Sequence, residues 1–234
     1  MSTAVSSRSL RALARLLAYP DAALRAHLPE LRSVMADEAA LHRRRRDEIC
    51  ALIDALGRQD PIDVEAAYVD LFDRGRATSL HLFEHVHGDS RDRGPAMIDL
   101  ARTYEQAGLY LAPGEFPDYL PTAIEFASMQ DAVTARAFIG EMMHILQAIF
   151  SALLARQSAY ASLLGALIEL SGGRAERVPV ATDPSLDESW AEPAAFSGCS
   201  SAGQSGPGGA KGAQPVQWVR NPNPTTSRSS GVSA

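Results

Sequence analysis

Apolar residues up to Leu170 recur three and four residues apart, and no stretch alternates at the two-residue period of a half-buried strand. That spacing confines the chain to helices. Leu10, Leu13, Ala14 and Leu17 make a first stripe, which Ser9 caps and Pro20 ends. Asp21 opens a short turn through Leu24 and His27, and Pro29 starts a separate piece with Leu31, Val34 and Met35, because an interior proline breaks a helix. Ile49, Leu52, Ile53 and Leu56 form a buried face closed by Gly57, and Asp60-Pro61 begins a helix carrying Val64, Ala67, Tyr68, Leu71 and Phe72. After Gly94-Pro95 a helix runs to Gly108, and another carries Leu120, Ile124, Phe126 and Met129. From Asp131 to Gln157 the spacing predicts one long helix, polar only along Glu141, His144, Gln147 and Ser151, which places it in the middle of the fold. Ser158 begins a last amphipathic helix with Leu163, Leu164, Leu167, Ile168 and Leu170, ended by Gly172 and Gly173.

The fold class is therefore all-α: a single compact multi-helix domain over residues 1–174. Residues 175–234 turn to Gly, Ser, Pro and Ala without apolar periodicity, which predicts a largely disordered C-terminal tail. Both tryptophans, Trp190 and Trp218, lie in it, either as docking points or as residues retained by chance. A net charge of −6 excludes a nucleic-acid binder and suits a basic partner. Arg43 to Arg46 read as a solvated helix face, since Asp47 and Glu48 follow Arg43 and Arg44 at ion-pair spacing. Cys50 and Cys199 fit no disulfide framework or metal pattern, so a reducing cytoplasm is expected. Arg8, Arg11 and Arg15 superficially resemble a transit peptide, but the apolar stripe among them reads as a folded helix, and no secretory signal is visible. The most apolar stretch, FIGEMMHILQAIFSALLA, is interrupted by Glu141, His144 and Gln147, so no membrane span is expected.

Chemistry concentrates between Tyr68 and Gly94. His81, His85 and His87 fall within seven residues around Glu84. Ser79 is placed to cap a helix that carries Leu80, Leu82, Phe83 and Val86, with His81, Glu84 and His85 along one side. His81 to His85 match H-x-x-E-H, the inverted zinc-protease pattern. A catalytic zinc needs a third protein ligand, for which Glu141 and Glu169 are the available acids, and the competing reading is a hydrogen-bonded interhelical cluster. No P-loop, dinucleotide-binding turn or nucleophile elbow is present. Asp118, with Glu115 and Glu125 nearby, reads as the cap of a helix starting at Tyr119 rather than as one of a catalytic carboxylate pair.

The segment YVDLFDRGRATSLHLFEHVHGDSRDRGPAMIDL, followed by YEQAGLYL and EFPDYLPTAIEFAS, closely resembles the NarJ family, the assembly chaperones of bacterial respiratory nitrate reductase. The likeness is strong from Tyr68 to Met129 and extends in pattern to the other body helices. Glu115, Pro117 and Asp118 match the acidic-Pro-Asp element of the wider redox-enzyme maturation chaperones. The resemblance implies an all-helical cytoplasmic protein with no catalytic, metal or cofactor site of its own. It implies binding to the N-terminal segment of the apo nitrate reductase α subunit, and support of molybdenum cofactor insertion before membrane attachment. A basic amphipathic client would lie beside Tyr68, Phe72, Leu82 and Phe83, with Glu84, Asp89, Asp92 and Asp118 as polar contacts and His81, His85, His87 and Tyr119 completing the surface. A zinc hydrolase, a helical scaffold or a chaperone for another molybdoenzyme are the alternatives.

Overall fold

The computed structural model describes residues 7–88 and 90–179, so the readings that fall on Asp89, Cys199, Trp190, Trp218 and the rest of the tail lie outside the described residues. Within them the chain is all-α, with α1 (Ser7–Leu17), α2 (Ala22–Ala36), α3 (Arg43–Arg58), α4 (Pro61–Phe72), α5 (Leu82–Val86), α6 (Arg93–Gln106), α7 (Leu120–Ser128), α8 (Ala132–Glu141), α9 (Met143–Ala155) and α10 (Ala161–Leu170). One 3-10 turn, Arg76–Thr78, lies between α4 and α5.

The centre of the core is α10, not the 131–157 segment. Nine of its ten residues are buried, against the expectation of an amphipathic helix, and it packs on α9, α3 and α1. In turn α1 packs on α7 and α2. Glu169 is the exception on α10, and its Oε1 receives Arg45 Nη2 at 2.9 Å. Gly165 makes room for this pair, since an added Cβ would sit 2.5 Å from the guanidinium carbon of Arg45. The helix then stops on a Schellman turn: Gly173 N–H donates to the Ile168 carbonyl and Gly172 N–H to that of Glu169, with Gly172 at φ +90°.

The single helix expected over 131–157 is two, bent by 66° at Met142. Gly140, a poor helix former, weakens the chain there, and the bend turns Ile139 on one half and Ile145 and Leu146 on the other into the core. Among the described residues no single helix is long and apolar enough to cross a membrane. The polar stripe on α9 also has a use: the chain after α10 lies against it through hydrogen bonds to Gln147 and Ser151.

Two expected boundaries shift as well. Ser9 caps nothing; it lies inside α1, buried, and donates to the carboxylate of Glu38. Pro29 does not divide α2, which runs unbroken from the cap at Asp21, whose carboxylate accepts Leu24 N–H at 2.7 Å. Leu24, Leu28 and Met35 on its buried face carry the helix past the proline. An interior proline costs a hydrogen bond and a steric clash, about 3 kcal/mol against alanine, partly offset by the stiffness it gives the unfolded chain. Because Pro29 is exposed, Pro29→Ala is expected to raise stability by about 1–2 kcal/mol in urea unfolding. An unchanged or lower midpoint would show that the helix has relaxed around its proline without cost.

Candidate functional site

Two segments distant in sequence cross at His81 and Tyr119, which form an isolated antiparallel bridge. Leu82 N–H donates to the Asp118 carbonyl at 2.9 Å, and Leu120 N–H donates to the Leu80 carbonyl at 2.8 Å. This crossing aims the side chain of Asp118 at the first turn of α5. Asp118 is 0% exposed. Its Oδ2 accepts Phe83 N–H at 3.3 Å and faces Arg93 Nη2 at 3.4 Å, and its Oδ1 lies 3.3 Å from His81 Nδ1. Arg93 also faces Glu84 Oε1 at 3.5 Å.

Asp118 therefore caps α5, a helix remote from it in sequence, and not the helix that follows it. That helix, α7, starts at Leu120 behind Tyr119, which makes no side-chain cap. Nor does Ser79 cap α5 directly; its hydroxyl accepts His81 N–H at 3.2 Å, one turn before the helix begins. The H-x-x-E-H reading fails on the same geometry. His81 precedes α5, and His85 Nε2 is engaged 2.9 Å from the Ser79 carbonyl while His81 faces Asp118. Among the described residues no three His, Cys, Asp or Glu side chains are arranged to hold a metal ion.

Around this crossing the predicted residues separate into two layers. Tyr68, Phe72, Leu82 and Asp118 are buried. Tyr68 donates to the Leu17 carbonyl at 2.8 Å, which leaves Tyr119 as the donor across the 3.1 Å between their hydroxyls. Burial pushes the Tyr68 phenol well above its ordinary range, so it stays protonated. His81, Phe83, Glu84, His85, His87 and Tyr119 are half-buried, and Asp92 is exposed. Arg76 completes this outer layer: its guanidinium covers Gly88, which is buried at φ +53°, and occupies the place of its missing Cβ.

Three clefts share His81. One, of about 770 Å³, separates Arg11 and Arg15 of α1 from Glu115 and Glu125, with the small side chains Ala14, Ala18 and Pro121 between them. Phe116, 53% exposed, stands at this cleft, its ring edge-on to His81 with centroids 5.5 Å apart. A polar cleft of about 440 Å³ is bounded by Arg74, Arg76, Glu84 and Arg93, and a third, of about 260 Å³, reaches Tyr19, Tyr68 and Phe72. Sequence reasoning missed Arg93 and Phe116. Arg93 sits in a run of mixed charge with nothing to single it out, whereas an aromatic residue in the proline-rich link before Asp118 is a signal for an exposed contact.

The charge state of the crossing is set locally. The hydrogen bond that His81 donates to the Asp118 carboxylate raises His81 above its ordinary 6.5, against the opposing effect of partial burial. Burial alone would push the Asp118 carboxyl up, but the hydrogen bond and charge of His81, the Phe83 N–H and Arg93 outweigh it and hold it below 3.8. The raised His81 pKa contributes stability that is complete below 6.5 and lost as pH rises through the folded value. The depressed Asp118 pKa contributes stability present above 3.8 and lost as pH falls through the folded value. Urea midpoints of the native chain should thus fall between about pH 6 and 8, and His81→Gln should flatten that slope. Parallel profiles for the two proteins would remove His81 as the cause.

The model of the family described as "Nitrate reductase delta subunit" matches residues 18–164, which includes the whole crossing. The chain is 40% identical over 190 residues, 77% of this chain and 80% of the relative, to "Nitrate reductase molybdenum cofactor assembly chaperone NarJ" of Escherichia coli (strain K12). It is 37% identical over 163 residues, 70% and 68% of the two chains, to "Probable nitrate reductase molybdenum cofactor assembly chaperone NarW" of the same organism. To "Probable nitrate reductase molybdenum cofactor assembly chaperone NarJ" of Bacillus subtilis (strain 168) it is 30% identical over 168 residues, 72% of this chain and 90% of the relative. The chain belongs to the nitrate reductase delta subunit family.

Proposed function

We propose that the chain is a dedicated assembly chaperone of respiratory nitrate reductase. In the cytoplasm it binds the N-terminal segment of the apo α subunit and supports molybdenum cofactor insertion before the complex attaches to the membrane. The observation that carries this reading is likeness over most of the length to relatives named for that assembly task. On this reading the chain holds a protein rather than transforming a substrate, and uses no cofactor of its own.

The cleft beside His81 suits such a client. An amphipathic helix docks its apolar side into a groove between helices, and Ala14, Ala18 and Pro121 are small enough to let a backbone approach closely. Phe116 offers an exposed aromatic anchor of the kind that dominates binding energy. Glu115 and Glu125 supply carboxylates for a basic segment within this cleft, which Arg11 and Arg15 also line, while Glu84 lines the adjoining polar cleft and Asp92 is exposed. Tyr68, Phe72, Leu82 and Asp118 act beneath, by holding the outer residues in place, and Phe83, His85, His87 and Tyr119 extend the surface.

Calorimetric titration with a peptide copying the N-terminus of the nitrate reductase catalytic subunit from the same genome is the direct test. Saturable binding is expected, weakened about tenfold by Phe116→Ser. Because Phe116 is exposed, the unfolding midpoint should not change. Binding that ignores Phe116 would move the site away from this cleft. No binding to the native chain would point to another client, or to recognition of the α subunit only as a larger folded body.

A further inference from the structure

A cleft of about 1010 Å³ lies apart from His81, between the first turns of α3, the end of α9 and the turn into α10. Ala51, Phe150, Leu154 and Ala159 give it apolar lining. Four arginines, Arg43, Arg44, Arg45 and Arg177, line it against two acids, Glu48 and Glu169, so its lining is formally +2 on a chain of net charge −6.

The arginines are not equivalent. Arg45 is committed to the fold: it donates to Glu169 and Glu48 and lies 5.9 Å above the Phe150 ring. Arg43 and Arg44 have side chains 89% and 91% exposed, and they pair only with Asp47 at 3.7 Å and Glu48 at 2.9 Å on their own helix. Such exposed pairs contribute a few tenths of a kcal/mol and exchange readily for an incoming carboxylate. Basic groups in a first helical turn also oppose the helix dipole, which offsets the small gain from these pairs.

The chain after α10 supplies the fourth arginine. Gln147 donates to the Arg174 carbonyl at 2.5 Å and accepts Glu176 N–H at 3.0 Å, and Ser151 Oγ accepts Val178 N–H at 2.9 Å. These bonds lay the segment along α9, and Arg177 within it lines the cleft.

We propose that this cleft is a second protein-binding site, which takes an acidic segment bearing an apolar anchor. The carboxylates meet Arg43, Arg44 and Arg177, and the anchor enters among Ala51, Phe150 and Leu154. A concave cleft with apolar atoms inside it fits a protruding side chain better than the flat surface of a membrane. The electrostatic sign is opposite to that of the basic segment proposed for the cleft at Phe116, so the two sites recognise different sequences.

Fluorescence anisotropy on the full chain tests this. The probe is a labelled peptide of glutamate and aspartate with one leucine and one tryptophan a helical turn apart. Saturable binding is expected, weakened about tenfold by Arg43→Glu with Arg44→Glu and also by Ala51→Glu, a change at an exposed helical position. Phe116→Ser should leave this affinity unchanged, which separates the site from the client cleft. Equal affinity for native chain and variants would overturn the proposal. So would equal binding of a peptide with serine at both anchors, or binding of phosphatidylglycerol vesicles without binding of the peptide.

Discussion

A buried carboxylate at the crossing of two loops holds the functional end of this molecule together. Asp118 joins His81, the Phe83 N–H and Arg93 through its side chain, and Leu82 through its carbonyl. Those partners come from the segment before α5, from α5 itself and from α6. An isolated carboxylate moved from water to an apolar interior is costly, and it persists only when donors and cations replace the lost water. The converse holds for its partners. At five residues α5 is far too short to form alone, so its existence and direction depend on a cap supplied from elsewhere in the chain.

The rest of the fold makes that crossing rigid. Tyr68 is buried against Phe72 and Tyr160, with ring centroids 4.7 and 6.1 Å away, and its hydroxyl ties the end of α1 to Tyr119. On the far side Tyr104, also buried, donates to the Pro117 carbonyl at 2.9 Å. The residues on either side of Asp118 are thus pinned by two tyrosines that belong to different helices. Aromatic burial of this kind contributes area and a directed hydrogen bond at once, which is why substitutions in the core would disturb the surface without touching a partner.

The helical class was legible because apolar spacing survives without knowledge of contacts, and caps such as Asp21, Asp60 and Asp131 act within their own turn. The family likeness singled out Asp118 and the His81 region for the same local reason. What stayed hidden depends on distance. Asp118 looks like the cap of the next helix until the loops are seen to cross, and Arg45 looks like one more solvated arginine until Glu169, remote in sequence, is found beside it. Pro29 misleads in the opposite direction: its local penalty is real, but packing of Leu24, Leu28 and Met35 overrides it. Tyr68, Phe72 and Leu82 were placed near the functional surface by their neighbours in sequence, whereas their own side chains point inward.

Two clefts of different electrostatic character, one formally +2 and the other with two arginines facing two glutamates, give the proposed chaperone role a physical logic. A client held in an unfinished state must be gripped firmly enough to prevent misassembly, yet released when assembly is complete. Two separate weak contacts achieve this better than one strong one, since linkage within a single client makes the second contact intramolecular and multiplies the overall affinity. Loss of either contact then returns the complex to the affinity of one site. Opposite charge requirements add selectivity, because a chain offering only a basic segment or only an acidic one engages one cleft and gains no such multiplication. Both clefts lie where helices begin or end, so their side chains rest on a packed core while the partner reads loops and first turns. The buried layer thus fixes geometry and the exposed layer sets specificity.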